Sequence, residues 1–232
     1  GRVKPGEVYR IGDFELASRL SFFLWGAPPD EVLRTAAAQG ALSTSGGLDR
    51  IARQMLADPR AEALGERFAA QWFRLQDVDK VHPDPNFFPN FDDLLARDMR
   101  RETISFFNDL VHRNASALDI YRADYTFLNE RLARHYSIPG VAGEHFRRVP
   151  YPDIRRRGVF GHGSVLVQTS MANRTSPVLR GKWVMEVLMG TPPPPPAPNV
   201  PPLENTAAAA KGIRLGSIAN FRDLTGIRAL EE

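Results

Sequence analysis

The sequence predicts a mostly α-helical fold: an irregular multi-helix bundle or array, followed by an extended polyproline strap and a short C-terminal segment. Three observations predict it. Apolar residues recur at helical spacing in segment after segment over the first two thirds of the chain. Prolines, glycines and candidate capping residues punctuate those segments where helices start and stop. Eight of the 19 prolines then crowd into GTPPPPPAPNVPPL, Gly190 to Leu203, where no helix can continue.

Taken in order, Asp13 is a candidate N-cap, and Leu16, Ala17, Leu20, Phe23 and Leu24 make one apolar face before Gly26 and Pro28. Pro29, Asp30 and Glu31 open a second helix that fades at Gly40, with proline in the first turn and acids at the positive dipole end. Leu48, Ile51, Met55 and Leu56 mark a third; Pro59 opens a fourth, with Leu64, Phe68, Trp72 and Leu75 at helical spacing. HPDPNFFPNFDD, His82 to Asp93, reads as a loop whose phenylalanines anchor it to the body. A long helix follows to about Arg113, with Leu95, Met99, Phe106 and Leu110 on one stripe, and a short one is expected from Phe127 to Tyr136. HFRRVPYP is open to an extended reading, and VFGHGSVLVQTS, Val159 to Ser170, is open to helix or strand, with helix favoured. Ser176 and Pro177 start a last helix that ends at Gly190.

The composition is that of an ordinary globular protein, 43% hydrophobic and 25% charged. No apolar run approaches the roughly 20 residues that span a bilayer, so the chain is expected not to cross a membrane. It begins GRVKPGE, without a starting Met or a signal-type segment, which is expected of a mature product, a processed chain or a fragment. It has no cysteine, which excludes disulfides, thiolate metal sites and covalent haem attachment within these residues. From Glu144 to Gly190 there are eight Lys/Arg against three Asp/Glu, so this stretch carries +5 of a total of +3 and the remainder sums to −2. The basic character is local, and no recognition motif accompanies it, so a nucleic-acid partner is not expected.

Candidate chemistry is sparse. DVDKVHPD, Asp77 to Asp84, starts like a calcium loop but lacks the glycine and glutamate that such loops need. Asp109 and His112 share a helical face with Glu102 and Asp98, a pattern better read as surface pairing with Arg101 and Arg113 than as a di-metal site. His162, between glycines, is the histidine to examine, either as a neighbour of haem or as a satisfied packing group; Gly-His-Gly-Ser is not a serine-hydrolase elbow. Met171, Met185 and Met189 are read as core filler before thioether ligands. Arg174 and Arg180 are read as helix-end caps, and Arg155, Arg156 and Arg157 as a docking surface for an acidic partner or haem propionates. No catalytic residue and no metal ligand set is assigned.

Three stretches resemble the planctomycete-type family called domain of unknown function 1592: LASRLSFFLWGAPPDE, PNFDDLLARDMRRET and DYTFLNERLARHYSIPGV. GSVLVQTSMANRTSPVLRGKWVMEVLMGTPPPPPAPNVPPL resembles the companion domain of unknown function 1588. The resemblance implies exported bacterial proteins of the periplasm or cell surface, in which c-type cytochrome modules are neighbours. In similar proteins the proline tract leads to a Cys-x-x-Cys-His haem segment and then to a domain of unknown function 1585. Here ENTAAAAKG is similar to the lead-in, no such motif follows, and the last twenty residues are similar to part of the third domain. Residues are therefore expected to be missing between about Gly212 and Gly216. The implied organisation is a helical domain at 1–142, a second module at 143–203, and a discontinuous C-terminal segment at 204–232.

The functional expectation is a non-catalytic scaffold in a cell-envelope, c-type-cytochrome-associated protein, which positions a haem domain or partner subunit for electron transfer or assembly. Haem c would sit in a missing or adjacent segment, near His162, Arg174 and Arg180, with other subunits of an envelope complex as further partners. The alternatives are a haem-assisted envelope oxidoreductase with a pocket near His162 and Arg174, and a purely structural surface-assembly subunit.

Overall fold

The computed structural model describes residues 8–194. The polyproline strap beyond Pro194, the segment at 204–232 and the expected break near Gly212 lie outside the described residues. Within them the fold is mostly α-helical.

Helices α1 (Asp13–Leu24), α2 (Glu31–Ala38) and α3 (Gly47–Leu56) form the first layer. Asp13 is the first helical residue rather than the cap. Gly12 holds the cap position, and the Asp13 carboxylate is turned to the hydroxyl and amide of Ser43, thirty residues away. Ala17 and Leu24 are buried, but Phe23 lies over half exposed, edge-on to Phe68. Asp30 caps α2 by accepting from the Leu33 amide at 2.9 Å, which leaves Pro29 just outside the helix. Residues 59–72 are one helical stretch in which α4 (Glu62–Leu64) and α5 (Ala70–Trp72) flank a π-type turn at Gly65–Ala69. At Gly65 an added Cβ would stand 2.3 Å from Asn108 Oδ1, so a larger residue there would have to displace the Asn108 side chain of the central helix.

That central helix is α6 (Asp93–His112), capped by Asp92 and burying Leu95, Met99, Phe106 and Leu110 on the expected stripe. The short α7 (Asp119–Arg122) precedes a strand that the helical reading of Phe127–Tyr136 missed. Tyr125–Leu128 (β1) pairs antiparallel with Arg147–Pro150 (β2), Tyr125 opposite Pro150 and Leu128 opposite Arg147. Helix α8 (Glu130–His135) begins only where Asn129 caps it. The run Tyr-Thr-Phe-Leu buries Tyr125 in the main core and Leu128 in the second cluster, one on each face of the strand, and that packing prevails over helical continuation.

VFGHGSVLVQTS contains α9 (Gly163–Gln168), the favoured helical reading. Ser176 caps α10 (Pro177–Trp183), which runs on through a π-type turn, Val184–Leu188. Gly190 ends it in the left-handed region at φ 64°, and the Thr191 amide reaches back to the Met185 carbonyl at 2.9 Å.

The main core joins α1–α3 to α6, α9 and α10, with Trp183 and Val187 packed among Leu24, Phe73 and Phe107. A second cluster gathers Leu95, Met99, Leu128, Leu132, Tyr136 and Val149 around the two-stranded ribbon. In the 82–93 loop Phe91 packs against this second cluster, but Phe87 and Phe88 do not anchor the loop as expected; they stay exposed.

Candidate functional site

The buried centre of the molecule is polar. On α6, Glu102 follows Met99 by three residues and precedes Phe106 by four, so helical geometry turns its carboxylate into the core. It is fully buried. One oxygen accepts from Thr126 of β1 at 2.6 Å; the other accepts from the Tyr136 hydroxyl at 2.6 Å and from the Gly163 amide at 3.4 Å. The Gly163 amide also donates to Tyr136 Oη at 2.6 Å. The Tyr151 hydroxyl lies buried beside Thr126 and the same carboxylate, and burial pushes it up. Burial pushes the Glu102 carboxyl up to about 7, against the downward pull of its donors and of Arg156.

His162 sits behind this carboxylate. Its Nδ1 meets Thr103 Oγ1 at 2.9 Å, and the same hydroxyl meets Ser164 Oγ at 2.7 Å. Its ring stands edge-on to Phe106 at 4.9 Å, and Nε2 has no partner among the described residues. Desolvation, aided by the Arg156 charge, holds the imidazole down at about 3, so it is neutral. Gly163 is required here: a Cβ would lie 2.7 Å from both Met99 Cγ and Tyr136 Oη. The whole constellation is closed to substrate. What it does chemically is bind α6, β1, α8 and α9 into one hydrogen-bonded unit.

An open groove lies on the other side of Met99. It has a volume of about 310 Å³ and an apolar floor of Met99, Leu166 and Val167. Phe87, Phe88 and Met171 rim it, and Arg174 and His135 supply its polar edge. The residues expected around haem therefore do not converge. Arg174 is on this wall, His162 is sealed behind Met99, and Arg180 is half-buried with Nε 3.5 Å from Thr169 Oγ1. His162 has the orphaned nitrogen an axial ligand needs, but no porphyrin can reach a residue with no exposed surface. His162, as placed, is therefore not positioned to ligate a haem iron.

The arginine run divides. Asp153 folds a short turn by accepting from the Arg155 amide at 2.8 Å and pairing with its guanidinium at 2.5 Å. Arg155 and Arg157 are exposed, and Ile154 beside them is 72% exposed. Arg156 instead turns inward, a correction to the docking assignment: it donates to the Gly161 carbonyl at 3.0 Å and covers the Tyr136 ring at 4.1 Å. Desolvating its planar face against an aromatic ring is favourable for a guanidinium.

The remaining candidates are structural. DVDKVHPD starts with a 3-10 turn in which Asp77 pairs with Lys80 and Asp79 with Arg100. Asp109 pairs with Arg113 and accepts from the Tyr125 hydroxyl, while Arg101 takes no part. Met171, Met185 and Met189 are exposed rather than filling the core. Among the described residues no group of three His, Cys, Asp or Glu could hold a metal ion, and no helix is long and apolar enough to cross a membrane. Sequence reasoning passed over Glu102 as a buried group. The available signal was its place within the stripe Leu95, Met99, Phe106, Leu110, as an acid among apolar residues.

The family model PSD4, a protein of unknown function (DUF1592), matches residues 11–138, more than half of the 232-residue chain. The chain belongs to the DUF1592 family. A second model, PSCyt3, also a protein of unknown function (DUF1588), matches residues 156–220 in the expected order. Both are families of cytochrome-c-associated domains. Thr126, Tyr136 and Glu102 lie in the DUF1592 segment, and His162 and Gly163 in the DUF1588 segment, so the buried centre is where the two meet. Comparison with curated proteins and with solved structures finds no match.

Proposed function

We propose that this chain is a non-catalytic scaffold of a periplasmic or cell-surface assembly, and that it positions a c-type cytochrome domain or partner subunit. The observation that carries the reading is the corner at Asp153–Arg157. Exposed Arg155 and Arg157 follow an exposed isoleucine, Ile154, there, and Asp153 closes the turn by accepting from the Arg155 amide. An apolar residue beside cations suits a partner with an acidic rim, such as the carboxylate-bearing edge of a haem protein. The cytochrome association of both families supports that class of partner. The filled, closed centre supports scaffold over oxidoreductase, because His162 does not reach the groove that Arg174 lines.

Two measurements test this. The parent protein purified from its source cells should show a Soret band, and a preparation without one removes the haem half. Association with the haem-bearing module should weaken at least tenfold in the R155E/R157E double variant and should weaken with added salt. Affinity unchanged by either would remove the docking half.

A further inference from the structure

An apolar groove and an exposed apolar stripe come together at α10. The groove under the 83–91 loop includes Thr175, two residues before α10 starts. On α10 and its continuation, Trp183 and Val187 are buried in the core, whereas Val178, Met185 and Met189 are 80%, 36% and 64% exposed. Those three are spaced by seven and four residues, intervals that return to the same side of a helix. An exposed apolar stripe therefore runs from the end of the π-type turn back along α10 toward the groove, which Met171, 46% exposed, and the exposed Phe87 and Phe88 line. Apolar surface of this extent on a helix and an adjoining groove marks a binding site.

We infer that the occupant is this chain's own proline tract, Pro192 to Pro202, folded back along α10 with its distal residues in the groove. Chain geometry supports this first: Gly190, at φ 64°, turns the chain off the helix, and the Thr191 amide is bonded back to Met185. Length supports it next. The twelve residues from Pro177 to Leu188 advance about 18 Å at helical rise. Eleven residues in polyproline II reach about 34 Å. The tract can thus retrace the helix and still lay about five residues, Pro198 to Pro202, in the groove. Chemistry is the third support. Consecutive prolines present an apolar ridge without amide donors, and aromatic-lined grooves with few polar groups are the surfaces that recognise it. Phe87, Phe88, Pro83 and Pro89 line this one. Tethering makes the contact intramolecular at an effective concentration of about a millimolar or more, so a weak contact suffices. The inference stands apart from the scaffold reading, since the Asp153–Arg157 corner is not part of the groove.

A cysteine-free chain allows a direct test. In the full chain, Phe88→Cys is combined with Val200→Cys, and separately with Asn199→Cys to cover one residue of register. The control pairs Val200→Cys with Val32→Cys on α2, which is 77% exposed. Disulfides need Cβ atoms about 4 Å apart, so oxidation rate reads proximity. At least one groove pair should close within the monomer ten times faster than the control, and Pro198→Ala/Pro201→Ala/Pro202→Ala should slow it. Groove and control pairs closing at equal rates would overturn the inference. So would disulfides formed only between molecules, which would put a second copy in the groove. Circular dichroism of each reduced variant matching the parent confirms that the comparison is between folded chains.

Discussion

Glu102 and His162, sixty residues apart in sequence, are both fully buried, yet their linkage to pH has opposite sign. Glu102 keeps its proton to about 7 in the folded chain against 4.5 for the free group. The folded state therefore binds more protons than the unfolded state across that interval, and this contribution falls as pH rises. His162 stays neutral down to about 3 against 6.5 for the free group, so its contribution rises with pH over its own interval. Between pH 4.5 and 6.5 the two slopes, each about 1.4 kcal/mol per pH unit, oppose one another. Urea midpoints of Glu102→Gln should therefore gain a rising slope over that range relative to the parent. His162→Asn should gain a falling one. Gln suits the test because its amide oxygen still accepts from Tyr136 and Gly163 while its nitrogen donates to Thr126. Profiles parallel to the parent for both variants would show that neither group titrates as its surroundings dictate.

At the next scale, caps and turns decide which stretches become elements. Asn129 both caps α8, accepting from the Leu132 amide at 2.9 Å, and donates to Asp98 at 2.7 Å. Asn129→Ala should cost about 2 kcal/mol, a cap plus a hydrogen bond to a charged group. Asn129→Asp should also destabilise, although aspartate caps as well as asparagine, because it places a carboxylate against Asp98. A neutral Asn129→Asp in chemical denaturation would show that Asp98 is not held there. Glycines separate in the same way. Gly158 has φ 62° and a Cβ would lie 2.4 Å from the Tyr121 carbonyl carbon, whereas Gly140 has φ 83° and open space. Gly158→Ala should therefore cost at least 2 kcal/mol more than Gly140→Ala, since only the former adds a backbone clash to the left-handed penalty. Much of this level is legible in sequence: the Leu95–Leu110 stripe, the Ser176 cap and the Gly190 stop follow from spacing and residue type. β1 is not, because four residues carry too little pattern to outweigh a helix-compatible continuation. Nor is the inward turn of Arg156 or the hydrogen-bonded setting of the Glu102 carboxyl. Each depends on partners tens of residues away, Tyr136 for one and Thr126 for the other, that local spacing does not encode.

Over the whole molecule, the two family segments share one interior. Trp72 Nε1, in the DUF1592 segment, donates to the Val187 carbonyl at 2.9 Å, and Arg74 pairs with Glu186 at 2.8 Å. Trp183 and Val187 of the DUF1588 segment belong to the same buried cluster as Leu24 and Phe107. The Gly163 amide closes the Glu102 network from the DUF1588 side. The interval between residues 138 and 156 thus divides the family matches but not the core, and removing either side would expose the apolar face of the other. The described body should unfold in a single calorimetric transition with equal calorimetric and van't Hoff enthalpies. Trp72→Phe removes a donor from the buried Val187 carbonyl, at about 1–3 kcal/mol. For a chain of this size that lowers the one midpoint by roughly 2–4 °C per kcal/mol. If the families were separate units, two transitions would appear, and Trp72→Phe would perturb their contact while leaving the stability of each unit near that of the parent. The scaffold reading needs the first outcome, because a surface that positions a partner must be rigidly continuous with the body that carries it.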